Sequence, residues 1–154
     1  MTEKAFVHRI TLGGGLARVF PMFTPLGERA WAPGWSPEFL DPQGGRTREG
    51  IVFRTGDGRD ETLWTCTEWR PAEHRVRYVR VSSATRFGFV NVACRQLEPG
   101  RTEAEVGYRF VALNPDGEAW LEGFTAEVFV EMIEGWRPLV DAWLEAHPGE
   151  TVAH

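Results

Sequence analysis

Apolar residues recur every second position up to Phe110 and every third or fourth position from Leu121 onward, and that change of period constrains the fold most. Thr102, Ala104, Val106, Tyr108 and Phe110 alternate with Glu103, Glu105 and Arg109, as in a strand with one dry and one wet face. Asn114-Pro115-Asp116-Gly117 ends that pattern. From Glu118 to about His147, apolar residues fall at Leu121, Phe124, Val128, Met132, Trp136, Leu139, Val140 and Trp143, close to the helical repeat. A sheet with one apolar face must cover it, and this last helix is the element long enough to do so.

The upstream chain supplies the sheet. Ala5 to Leu12 reads as a first strand with Phe6, Ile10 and Leu12 on one face and His8 among them. Gly13-Gly14-Gly15 then makes a turn, since no GK[ST] follows to make it a phosphate loop. Gly14 to Leu40 reads as two or three short helical pieces, bent at Pro21 and reopened at Ser36-Pro37, and Asp41 to Glu49 as loop. Gly50–Arg54, Glu61–Arg70, His74–Val81 and Arg86–Leu97 read as strands, with turn signals at Asp57-Gly58, Pro71–Glu73 and Glu98–Arg101. Pro138 is expected to kink the last helix or divide it, and residues 148–154 to fray. The predicted class is α+β: one domain over residues 1–154, in which a curved antiparallel sheet of about six strands wraps a long C-terminal helix, with short helices after strand 1.

Composition narrows the function. The net charge of −5 and pI near 5.4 give no positive field to gather phosphates, so no nucleic-acid partner is expected. Arg75, Arg77 and Arg80 read as a solvated strand face. Cys66 and Cys94 lie far apart without a CxxC pattern, and the histidines (His8, His74, His147, His154) are scattered, so no metal and no cofactor are expected, and the thiols read as buried and reduced. No run of about 18 apolar residues is present and the N-terminus does not resemble a signal peptide, so the reading is cytoplasmic with no integral membrane segment. Seven Trp, ten Phe and two Tyr leave two readings, an aromatic core or a cavity lined with rings.

Several phrases resemble the SRPBCC superfamily, the helix-grip group that includes START domains, polyketide cyclases and the birch-pollen allergen family. They are VFPMFTPLGERAWAPGW (Val19 to Trp35), TLWTCTEW (Thr62 to Trp69), RVRYVRV (Arg75 to Val81) and TEAEVGYRFVALNPDGEAWLEGF (Thr102 to Phe124). The resemblance covers nearly the whole chain and is nearest to bacterial SRPBCC-domain proteins of undefined function. It implies the helix-grip fold and a deep hydrophobic cavity for lipids, sterols, polyketides or plant hormones, with cyclisation or dehydration in some members. The superfamily has no universal catalytic motif, so no catalytic residue is carried over.

The expected cavity wall comprises Trp35, Trp64, Tyr78, Tyr108, Phe110, Phe124, Val128 and Met132, with Phe124, Val128 and Met132 facing the sheet. For each ring, packing in the core is the competing reading. Tyr78 and Tyr108 offer hydroxyls for orienting a ligand or for acid–base chemistry. Glu68 shares a strand face with Trp64 and Cys66; if that face is inside, it is a partly buried carboxylate, and otherwise it pairs with a surface arginine. Glu28 and Arg29 read as ion-paired residues holding a loop whose Trp31 and Trp35 plug the core, ahead of a role at the cavity entrance. Val90, Val92 and Cys94 read as inward in preference to Phe87, Phe89 and Asn91, and Trp136, Leu139 and Trp143 as core beyond the pocket. The leading function is binding of an apolar or aromatic small molecule or lipid. The rivals are a cyclase, dehydratase or lyase, and a co-chaperone-like protein-interaction module; the reading leaves room for a homodimer.

Overall fold

From Val52 to Ala112 each period-two segment pairs with its neighbour in sequence, as short turns allow only for antiparallel strands. The computed structural model describes residues 2–154. Its strands are β1 (Glu3–Leu12), β2 (Glu38–Asp41), β3 (Val52–Thr55), β4 (Thr62–Arg70), β5 (Arg75–Ser82), β6 (Arg86–Glu98) and β7 (Arg101–Ala112). They form one curved antiparallel sheet in the order β1-β7-β6-β5-β4-β3-β2. The meander β2 to β7 is completed by β1, which runs along β7 from Glu3↔Val111 to Leu12↔Thr102.

The helices are α1 (Leu16–Val19), α2 (Pro115–Gly123) and α3 (Ala126–Ala146), with 3-10 turns at Phe20–Phe23 and Gly27–Ala30 between β1 and β2. The inner sheet face buries Ile10, Leu12, Val76, Val92, Val106 and Phe110, and α3 meets it with Phe129, Ile133, Val140 and Leu144. Phe129 is fully enclosed, with its ring 5.8 Å from Phe6 and 5.6 Å from Tyr108. Burying each such side chain contributes about 1.5–3 kcal/mol.

Four expectations need correction. Glu38–Asp41, read as a helical turn running into loop, is strand β2 and pairs with β3 through Phe39↔Phe53. The C-terminal helix divides at Thr125, not at Pro138, which lies within the continuous α3. Thr125 caps α3, its hydroxyl accepting from the Val128 amide at 3.2 Å. Val128 does not face the sheet: it is 45% exposed, and its neighbour Phe129 takes the inward position on that turn. Residues after Pro148 are held, since Val152 is buried and Arg18 donates to the Glu150 carbonyl at 2.9 Å.

Candidate functional site

The segment after β1 is short of regular structure but well tied. Thr24 is buried, its hydroxyl donating to the Pro21 carbonyl at 2.7 Å and accepting from the Gly27 amide at 3.0 Å. Gly27 is required there, because a Cβ at that position would lie 2.0 Å from the Pro21 oxygen. The indole N–H of Trp31 donates to the Met22 carbonyl and that of Trp35 to the Pro25 carbonyl, each at 2.8 Å. Tyr78 fastens this cover to the sheet through its hydroxyl, which donates to the Phe23 carbonyl at 2.9 Å.

Beneath the cover lies a cavity of about 210 Å³. The cover contributes Phe23, Pro25, Glu28, Trp31, Ala32 and Trp35; the sheet contributes Phe53, Thr55, Trp64, Tyr78, Arg80, Val90, Val92 and Tyr108; α3 contributes Trp136. The rings hold one another. Trp64 stacks on Phe53 at 5.5 Å, meets the Trp35 ring edge-on at 5.7 Å and donates its N–H to the Thr55 hydroxyl at 3.0 Å. Trp31 meets Trp136 at 5.5 Å. Such offset and edge-on pairs are favourable beyond the area they bury, and they fix the wall.

One end of the cavity is polar. The Arg80 guanidinium lies over the Trp64 ring, 4.3 Å from its centroid, with Phe110 at 5.5 Å. Its Nε and Nη2 both donate to the Ser82 hydroxyl, at 3.2 and 3.0 Å, and Ser82 in turn pairs with the Thr62 hydroxyl at 3.1 Å. Burial pulls the Arg80 pKa below its ordinary value. Glu28 is half-buried as a residue, yet desolvation of its carboxyl pushes the pKa up to about 8, with Arg80 acting in the opposite sense. At neutral pH that carboxyl is mainly protonated and able to donate a hydrogen bond. Burial also pushes the Tyr108 hydroxyl up to about 12, against the pull of Arg80, and raises Tyr78 well above its usual value.

Of the expected wall residues, Trp35, Trp64, Tyr78 and Tyr108 line this cavity. Phe110 and Phe124 are buried beside it in a second cluster with Trp120, at 5.1 and 5.2 Å between rings, and Met132 packs on the core. Glu68 is not at the cavity although Trp64 and Cys66 point inward. A bulge between Cys66 and Glu68 shifts the register, so Glu68 pairs with Arg70 at 2.8 Å and Arg77 at 3.1 Å while Trp69 turns in to stack on Phe20. Both cysteines are free and buried. Arg80, Glu28, Trp31 and Trp136, which the sequence assigns to surface, loop or core, all line the cavity. For Arg80 the signal was present: Val76, Tyr78, Arg80 and Ser82 share one parity, and β5 pairs with β6 without a break in register.

No family model matches this sequence, and no curated protein sequence matches it. Solved structures do. Norcoclaurine synthase from Thalictrum flavum, in complex with dopamine and hydroxybenzaldehyde, superposes with a TM-score of 0.67 at 10% identity over 97% of this chain and 90% of that one. A START superfamily protein from Mycobacterium smegmatis gives 0.67 at 11% identity, over 92% and 97% of the two chains. This is the helix-grip fold. The Zhui aromatase/cyclase from Streptomyces sp. R1128 shares it at 16% identity, with a TM-score of 0.57 over 94% of this chain and 86% of that one. In this helix-grip chain, no described helix is long and apolar enough to cross a membrane. Among the described residues, no three His, Cys, Asp or Glu side chains gather as a metal site requires.

Proposed function

We propose that the chain binds a small aromatic molecule in the cavity between its sheet, its cover and α3. The observation that carries this reading is a ring-walled space of about 210 Å³ with Arg80, Glu28 and Tyr108 at one end. An apolar protein cavity of about 150 Å³ accommodates benzene, so the space suits one substituted ring better than a lipid or sterol. Apolar burial supplies affinity and the polar end supplies orientation. Two structural neighbours support the reading by their own ligand or reaction: norcoclaurine synthase was captured with dopamine and hydroxybenzaldehyde, and Zhui is an aromatase/cyclase. Trp31, Trp35, Trp64 and Trp136 all border the space, so ligand entry should change intrinsic fluorescence and raise the thermal midpoint by linkage. Native mass spectrometry of the purified chain should show a co-purified aromatic molecule. A panel of single-ring compounds that moved neither fluorescence nor thermal midpoint would remove this reading.

A second reading is favoured by Glu28 and Tyr108 facing the same ligand space. A carboxyl that titrates near 8 is poised to take or give a proton at physiological pH, and a neutral phenol beside it can stabilise a developing oxyanion. The chain would then catalyse proton transfer on its ligand, as a cyclase, dehydratase or lyase requires. Tyr108→Phe and Glu28→Gln should each reduce turnover by about 100-fold or more while ligand still binds. Turnover undiminished in both variants would leave binding as the sole role.

A further inference from the structure

We infer that the ligand is an aromatic acid, its carboxylate paired with the Arg80 guanidinium and its ring held among Trp35, Trp64 and Trp136. This rests on the cavity reading above and adds the chemical class of the ligand. Arg80 is the sole Lys, Arg or His among the described residues that line the cavity. Among the described residues, no carboxylate oxygen approaches it within 4.0 Å. Its hydrogen-bond partner is a neutral hydroxyl, Ser82, and the Trp64 face offsets only part of the cost of burying the charge. An enclosed guanidinium without a counter-charge is costly, and an anion delivered by the ligand resolves it.

The rest of the polar end fits the same partner. Glu28 is the single carboxyl in the lining, and while protonated it leaves the cavity with one net positive charge and adds a donor. Tyr108 supplies a second hydroxyl, since its OH makes no hydrogen bond with the described residues whereas that of Tyr78 is committed to Phe23. Arg86 adds positive potential from the same inner face, its guanidinium lying 3.7 Å from the Trp120 ring centroid and its Nε buried without a hydrogen-bond partner. One guanidinium and two hydroxyl-type donors match a monoanionic carboxylate, which Arg binds in a planar two-point fashion. A phosphate dianion would face too few cations and no cradle of backbone amides.

The test compares 3-phenylpropionate with its neutral isostere 3-phenylpropanamide and with propylbenzene, each titrated into the full chain at neutral pH and followed by tryptophan fluorescence and calorimetry. The acid should bind at least about ten-fold more tightly than the amide. That preference should vanish in Arg80→Gln with amide affinity retained, and should survive in weakened form in Arg80→Lys, which keeps the charge if the glutamine variant does not fold. The groups facing Glu28 are Arg80, Tyr78 and Tyr108 from the sheet, while the α3 contribution, Trp136, is uncharged. Acid affinity should therefore fall as pH rises through about 8 and Glu28 ionises, and Glu28→Gln should flatten that decline. Equal affinity for acid and amide, or binding of propylbenzene alone, overturns the aromatic-acid inference and leaves the cavity reading standing. No binding by any of the three overturns both.

Discussion

Glu28 is a carboxyl that folding moves from water into a ring-lined wall, and its stability effect has a definite sign. Its pKa rises from 4.5 to about 8 on folding because burial disfavours the charged form. The folded chain therefore binds this proton more tightly than the unfolded chain, and stability is lost as pH rises from about 4.5 to about 8. Glu28→Gln removes the titration. The variant should match the parent in acid and exceed it increasingly across that window, with each kcal/mol recovered raising Tm by about 2–4 °C in a chain of this size. Parallel curves of Tm against pH would refute the burial of this carboxyl. Single residues were unevenly legible in the sequence. Tyr78 and Tyr108 follow from alternation, and Arg80 shares the parity of Tyr78, but its charge groups it with Arg75 and Arg77 on a solvated face. Glu28 lies in 3-10 turns whose path is set by hydroxyl and indole hydrogen bonds, and no periodicity announces which way such a side chain points.

Among elements, the strands from β3 to β7 and the helix that covers them were readable because a half-buried surface imposes its period on the sequence. Irregular points were less so. The bulge in β4 inverts Glu68 and Trp69 without any Gly or Pro to mark it, and β2 has only four residues, too few to display alternation. The break between α2 and α3 did carry a signal in Thr125, overshadowed by Pro138. Close packing holds α2 in place at the other end: a Cβ on Gly117 would lie 1.9 Å from the Thr85 carbonyl oxygen. Thr125→Ala removes the acceptor for the Val128 amide and should destabilise the chain by about 1 kcal/mol. The loss should appear as faster amide exchange over the first turn of α3, with exchange in β6 and β7 changed only through global stability. Unaltered exchange in that turn would show that packing of Phe129, not the cap, sets where α3 begins.

Across the whole molecule, the two ends of the chain are joined at the side of the sheet where β1 gives way to α1. Gly13 donates its amide to Asp141 on α3 at 2.8 Å, and Thr102 on β7 donates to the Gly14 carbonyl at 2.8 Å. Arg18 completes the junction from α1, donating to the carbonyls of Leu144 at 3.1 Å, His147 at 2.7 Å and Glu150 at 2.9 Å. Those acceptors include carbonyls that the C-terminus of α3 leaves without helical partners, so one guanidinium closes the helix and pins the segment that buries Val152. The sequence shows a proline and a glycine where a helix must stop, but it cannot show that the partner for the exposed carbonyls lies on a helix at the opposite end of the chain. Arg18→Met keeps much of the aliphatic stem and deletes all three donations. It should cost about 1–3 kcal/mol and raise amide exchange and protease cleavage over residues 148–154 before global unfolding. Arg18 lines no part of the cavity, so affinity for a single-ring ligand should stay unchanged below the lowered Tm. Protection of residues 148–154 equal to that of the parent would mean that burial of Val152 alone holds the segment, and a parallel loss of ligand affinity would mean that the junction also shapes the cavity.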